Sequence, residues 1–161
     1  MIFYFLDASA LAKRYISESG TPLVNHLIRT VPEDRLILLI IGFGEILSIL
    51  VRKKNSKQIT ESFYYRSVVE FEKEFLNNPK ILIQSVTDDL VRNSLSLIES
   101  YSINATDAVI LECALGIDCE LRAKDDDLVL VTTDIRLSNA AKSSGLKVWN
   151  PETDSQVDLE M

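Results

Sequence analysis

Histidine occurs once and cysteine twice in this chain, and the three residues cannot form a nitrogen and sulfur metal site. Cys113 and Cys119 are near each other, but His26 is far away in sequence, so no zinc ligand set can be assembled. The two thiols fit a reducing, cytoplasmic setting. Glycine (5) and proline (4) are also scarce, which argues against disorder or a repeat array, and no linker or internal repeat is visible. Long apolar runs are missing. Ile2 to Leu6 is closed by Asp7 too early for a signal peptide, and no basic segment precedes it. Leu36 to Val51 is the most hydrophobic stretch, yet it contains Glu45 and is too short for a bilayer span, so no membrane segment is expected. Positive charge is lacking too. A formal net charge of −7 opposes a nucleic-acid partner, because phosphates are bound by Lys and Arg. That objection weakens if several acids are metal ligands, since bound divalent cations would cancel part of the charge. The segment Glu152 to Glu160 adds further acids remote from the motifs described below.

What is present describes one ordinary domain. At 161 residues, with 47% hydrophobic and 25% charged residues, a core can be buried without disulfides or a structural metal. The domain is expected to span residues 1–151, followed by an acidic tail at 152–161. Ile2 to Leu6 is predicted as a central strand buried on both faces. Ser9 opens a helix through Tyr15, and Thr21-Pro22 caps and starts a second helix running toward Arg29. A second strand is expected over Leu36 to Ile41, with Gly42-Phe43-Gly44 as the turn and a helix from Glu45 to Lys54. One long helix is expected from Ser56 to Leu76, then a strand at Ile81 to Ile83, and a helix capped by Thr87 that ends near Ser100. A further helix starts near Asn104 and ends at Leu115. Gly116 to Asp127 reads as irregular, with a small hairpin insertion as one option. Leu128 to Val131 is the fourth strand, Ile135 to Ser144 a helix stopped by Gly145, and Leu146 to Trp149 an edge strand. Strands alternating with helices imply an α/β domain with a parallel five-stranded sheet covered on both faces.

In open parallel sheets, ligands bind beyond the carboxyl ends of the strands. Asp7 follows the first strand and Asp134 the fourth. Glu45 follows the second by a few residues and emerges on the same edge. Asp107 opens the helix leading into the fourth strand, and sequence alone does not fix its distance from the others. Two carboxylates about 4 Å apart repel by on the order of 4 kcal/mol at an effective dielectric near 20, so either their proton affinities rise or a cation sits between them. Mg²⁺ or Mn²⁺ suits such a group, because hard ions take oxygen ligands, use few carboxylates and keep waters and substrate phosphates. An ion of that kind activates water for in-line attack on phosphorus, so no side-chain nucleophile is needed.

The strings Phe5-Leu6-Asp7-Ala8-Ser9-Ala10-Leu11-Ala12-Lys13, Gly44-Glu45-Ile46-Leu47, Asn104-Ala105-Thr106-Asp107-Ala108 and Val131-Thr132-Thr133-Asp134 together resemble the PIN domain in order, spacing and strand context. The resemblance runs from Met1 to about Pro151. It implies a metal-dependent endoribonuclease acting on single-stranded RNA. It implies also a VapC-type toxin, held in check by a small antitoxin protein and forming a homodimer. Carried over residue by residue, Asp7 and Asp107 correspond to the principal metal ligands, with Glu45 and Asp134 completing the acidic ring directly or through water. Ser9 and Thr132 correspond to hydroxyls that orient the carboxylates. Lys13, close to Asp7 in sequence, is a candidate RNA contact.

Each residue also has a plainer reading. Asp7 could be a turn residue and Asp107 a helix-terminal charge; Arg14, Arg52, Lys53, Lys54 and Lys57 could line an RNA path with Lys13, but read more simply as solvated helix-end cations. Asp125-Asp126-Asp127 reads as a loop facing water, Cys113 as core, and Phe63-Tyr64-Tyr65 as helix packing or a dimer face. Two other functions share the strand-end Asp. A haloacid-dehalogenase-type phosphatase needs a second Asp where Ser9 stands. A phosphorylated receiver domain needs an acidic pair after the first strand and a Lys after the last. A non-catalytic scaffold that binds protein or RNA is the remaining alternative.

Overall fold

A computed structural model describes residues 1–157. Its centre is one parallel sheet of β1 (Ile2–Leu6), β2 (Leu36–Leu39), β3 (Leu82–Gln84), β4 (Asp127–Val131) and β5 (Lys147–Trp149), in the order β3-β2-β1-β4-β5. The helices are α1 (Ala8–Leu11), α2 (Thr21–Thr30), α3 (Ile41–Asn55), α4 (Glu61–Phe71), α5 (Asp88–Tyr101), α6 (Ala105–Arg122) and α7 (Ile135–Ser143). Successive strand residues point to opposite faces, so the uninterrupted apolar strands feed two separate cores. Tyr4, Leu6, Leu36, Leu38, Val129 and Val131 pack with residues of α1 to α4. Phe5, Ile37, Leu39, Leu128 and Leu130 pack with residues of α6 and α7, and Leu97 and Ile98 of α5 lie against the same core.

This topology creates the crevice. The chain steps outward from β1 to β2 and β3, then returns to place β4 on the other side of β1. The connections leaving β1 and β4 therefore part in opposite directions at the sheet's carboxyl edge, which is where such folds bind ligands. The two strands pair over five residues, from Ile2 with Asp127 to Leu6 with Val131, so Asp7 and Thr132 leave the sheet side by side.

Four local expectations are corrected. Gly42-Phe43-Gly44 is no turn: β2 stops at Leu39 and α3 begins at Ile41. Burial of Phe43 with Ile46 and Leu50, one stripe at helical spacing, outweighs the poor helix propensity of two glycines. The single helix expected over Ser56 to Leu76 is broken, with α4 starting only at Glu61 under a Thr60 cap and passing into a π-helical turn at Glu72–Leu76. Positive φ at Lys57 marks the break. Gly116 to Asp127 holds no hairpin, because α6 continues to Arg122. Leu121 keeps the helix on its core, the Asp118–Arg122 pair (2.7 Å) bridges one turn, and a mid-helix glycine costs only about 1 kcal/mol. Gly20, not Thr21, caps α2.

The segment after Trp149 folds back onto the domain. Trp149 Nε1 donates to the Ser155 carbonyl (3.0 Å), Asn150 N donates to Asp154 Oδ2 (2.7 Å), and Gln156 meets the His26 ring (2.8 Å). Glu152 thus lies close to the domain, while Asp158 and Glu160 of the expected acidic tail fall outside the described residues. No helix among the described residues is long and apolar enough to cross a membrane.

Gly20 fixes this return. Its φ is +83°, and a Cβ there would stand 2.7 Å from the Pro151 carbonyl oxygen. Gly20→Ala is therefore expected to destabilise the chain by about 2 kcal/mol, lowering Tm by roughly 5 °C in a thermal melt. At Gly145, whose φ is +86° but whose Cβ would meet open space, alanine should cost less. Equal melting of both variants with the native chain would show that neither constraint operates.

Candidate functional site

Asp7 ends β1 and caps α1, with extended backbone angles, and its N–H donates to the Val131 carbonyl at the end of β4 (3.0 Å). Its side chain is buried. Oδ2 accepts from Ser9 Oγ (2.5 Å), Thr132 Oγ1 (2.8 Å) and, more loosely, Ser9 N (3.3 Å). Both hydroxyls also accept in turn, Ser9 Oγ from Thr133 N (3.0 Å) and Thr132 Oγ1 from Asp134 N (3.1 Å). One network thus ties the carboxylate to the turns after both central strands. Since each hydroxyl has a single proton and that proton is committed to Asp7, the network holds the carboxyl group in one orientation.

Asp134 caps α7, and its Oδ1 accepts from Arg136 N (2.8 Å) and Leu137 N (3.0 Å). Asn104 caps α6 through its Oδ1, which accepts from Asp107 N (2.8 Å), while Asn104 Nδ2 donates to Asp107 Oδ2 (2.7 Å). The reciprocal pair fixes Asp107 at the helix start. Glu45 lies in the second turn of α3, a position it owes to the early start of that helix.

The four acids line a single open cleft of about 560 Å³, together with Ser9, Ser48, Ile49, Arg52 and Asn104. Their charges sense one another. Burial first, then Asp7 and Asp107, pushes Glu45 up to about 7. Asp107 is pushed up to about 6 by burial, then by Asp134 and Asp7, against an opposing pull from Arg136. Burial raises Asp7 as well, with the Ser9 and Thr132 hydrogen bonds working against it. Glu45 Oε2 is buried and has no hydrogen-bond partner among the described residues, an arrangement that costs free energy unless a proton or a cation satisfies it.

Among the described residues no three acid, imidazole or thiol groups form a ready-made metal cage. The lining instead matches an ion that takes one or two carboxylates and fills its other positions with water and phosphate oxygens, as Mg²⁺ and Mn²⁺ do. Asp7, Glu45, Asp107 and Asp134 are the acids of the lining that could hold it. The partnerless oxygen of Glu45 and the mutual repulsion of the acids are the observations such an ion would answer.

Lys13 is placed elsewhere. It is only 3% exposed, and its ammonium group faces Glu152 Oε1 (2.5 Å) and Glu18 Oε2 (3.5 Å), which takes it away from any surface path for RNA. Ser48 and Arg136 are site neighbours that sequence reading passed over, and Arg52, read there as a solvated helix-end cation, lines the cleft. Ser48 and Arg52 follow Glu45 at i+3 and i+7, one face of a helix, and that spacing was the available signal.

A sequence profile described as PIN domain matches residues 27–152. Comparison with curated protein sequences finds no match. Among solved structures, PAE2754 from Pyrobaculum aerophilum aligns with a TM-score of 0.65 at 17% identity, over 99% of this chain and 97% of its own. FitAcB from Neisseria gonorrhoeae gives 0.63 at 16% identity, over 96% and 100%. VapC20 from Mycobacterium tuberculosis, described as a Sarcin-Ricin loop cleaving toxin, gives 0.62 at 17% identity, over 85% and 94%. At such identities the likeness is one of fold, and with the first of these it extends over nearly the whole chain.

The crowded acids set a pH dependence. Glu45 and Asp107 hold protons more tightly in the folded chain than at their ordinary values of 4.5 and 3.8, so these two groups carry more protons in the native state than in the unfolded one between about pH 4 and 7. Their contribution to stability falls as pH rises through that window. Without divalent metal, Glu45→Gln should therefore gain Tm relative to the native chain, with a larger gain at pH 7.5 than at pH 5. A Tm difference independent of pH would contradict the coupling.

Proposed function

Because the chain belongs to the PIN-domain family, we propose that it is a Mg²⁺- or Mn²⁺-dependent endoribonuclease that hydrolyses phosphodiester bonds of single-stranded RNA. The observation that carries this reading is the convergence of Asp7, Glu45, Asp107 and Asp134 on one cleft. A divalent ion bound there would supply an activated water and neutralise charge on the phosphate. Asp7 and Asp107 serve as its principal ligands, and Glu45 and Asp134 complete the ring directly or through water. Ser9 and Thr132 keep the Asp7 carboxylate aimed at the ion, so the ion's position is set by the β1–β4 junction and not by a mobile loop.

In this reading the protein is the toxin of a toxin–antitoxin pair. VapC20, one of the proteins whose fold it shares, is described as a toxin, and the acidic cleft is complementary to a peptide carrying Arg. An antitoxin segment seated in the cleft would block it with opposite charge. A small protein encoded next to this chain should co-purify with it and inhibit cleavage. Self-association into a homodimer belongs to the same reading and is measured directly by sedimentation.

The native chain is expected to cleave single-stranded RNA with Mg²⁺ or Mn²⁺ and to be silent in chelator. Asp7→Asn should lower the rate by at least about a hundredfold, and Ser9→Ala should weaken metal affinity by about 10- to 100-fold while leaving the fold intact. Equal cleavage by native chain and Asp7→Asn, or none by the native chain with either metal, would remove the nuclease assignment.

A further inference from the structure

An acidic protein that cuts RNA has to attract a polyanion to a cluster of carboxylates. Several basic side chains of α3 and of the segment after α1 are engaged with acids away from the cleft. Lys13 is held by Glu18 and Glu152, Lys53 by Glu18, and Arg14 by Glu74. Arg52 differs. It lines the cleft, it is exposed, and it makes no ion pair among the described residues. It sits on the face of α3 that carries Glu45, two turns and roughly 10 Å along the helix axis beyond it. Ser48, between the two, has its hydroxyl turned to the Gly44 carbonyl (2.8 Å), so the guanidinium is the strongest donor on this wall.

No ion pair ties its guanidinium to any of the four acids among the described residues, and two helical turns separate it from Glu45. Arg52 thus offers in the cleft a planar fork of donors matched to a phosphate.

We propose that Arg52 is a positioning residue that grips a non-reacting phosphate of single-stranded RNA on the α3 side of the four-acid cleft. This rests on the nuclease reading above and adds to it a direction for the strand: away from Glu45, along the exposed face of α3. The contact supplies affinity and register and takes no part in the bond-breaking step, so its loss acts on KM and leaves kcat in place. It is independent of base identity, since a phosphate carries no sequence information.

The test compares native chain, Arg52→Ala, Arg52→Lys and Arg92→Ala on one single-stranded RNA with Mn²⁺, across a salt series. Arg92 is an exposed arginine of α5 and controls for the change in net charge. Arg52→Ala is expected to raise KM about tenfold with kcat within about twofold. The slope of log(kcat/KM) against log[salt] should become shallower by about 0.7, the value for one lost contact to a single strand. Arg52→Lys should fall between, keeping the charge but losing the fork, while Arg92→Ala should match the native chain. If Arg52→Ala instead matches Arg92→Ala in KM and slope, the contact does not exist although the nuclease reading stands. A fall in kcat at unchanged KM would place Arg52 at the reacting atoms and overturn the positioning role. Absence of cleavage by the native chain with either metal would remove both proposals together.

Discussion

Carboxylates repel each other most where water is scarce, and this fold brings four of them to the rim of one cleft. The elements around the cleft act to keep that arrangement from relaxing. Five pairs along β1 and β4 hold the two strand ends side by side. Hydroxyls from Ser9 and Thr132 converge on a single oxygen of Asp7, the Asn104 side-chain amide holds Asp107, and backbone N–H groups at the start of α7 hold Asp134. Glu45 is the exception. One of its oxygens is buried without a partner among the described residues, and its proton affinity is pushed up to about 7, above that of Asp107 at about 6. Local order that over-determines a strained cluster is a common feature of functional sites.

The same elements explain why the cleft forms at this edge of the sheet. The reversal of strand order around β1 opens a crevice, and two cores, one per face, fix the helices on either side of it. Phe43 has a particular part. By drawing α3 into helical geometry directly from the end of β2, it puts Glu45 in the second turn, and Arg52 then follows on the same face. A turn at Gly42 to Gly44 would have shifted that face.

Much of this was legible in the sequence, for identifiable reasons. Strands buried on both faces read as unbroken apolar runs, and Asp7 and Asp134 stand where those runs stop, so the parallel sheet and two of the four acids follow from pattern alone. Asp107 does not, because its approach to Asp7 depends on how α6 crosses the sheet, a property of packing that no local signal encodes. The helical Gly42 and Gly116 misled for a shared reason: propensity treats glycine as punctuation, whereas burial of Phe43 and Leu121 overrides it. Lys13 misled differently. Its nearness to Asp7 in sequence suggested a place beside the acids, but its partners Glu18 and Glu152 come from a loop and from the returning C-terminal segment. Such a long-range ion pair is invisible until the chain is folded.

In the proposed nuclease, a doubly charged ion within the acid cluster would make the repulsion tolerable. Crystals grown with Mn²⁺ would show this by anomalous diffraction. The expected result is a peak inside the cleft bounded by Asp7, Glu45 and Asp107, within bonding distance of at least one of their oxygens. A peak only at other acidic surfaces, such as Asp125 to Asp127, or no peak at millimolar Mn²⁺, would contradict the account.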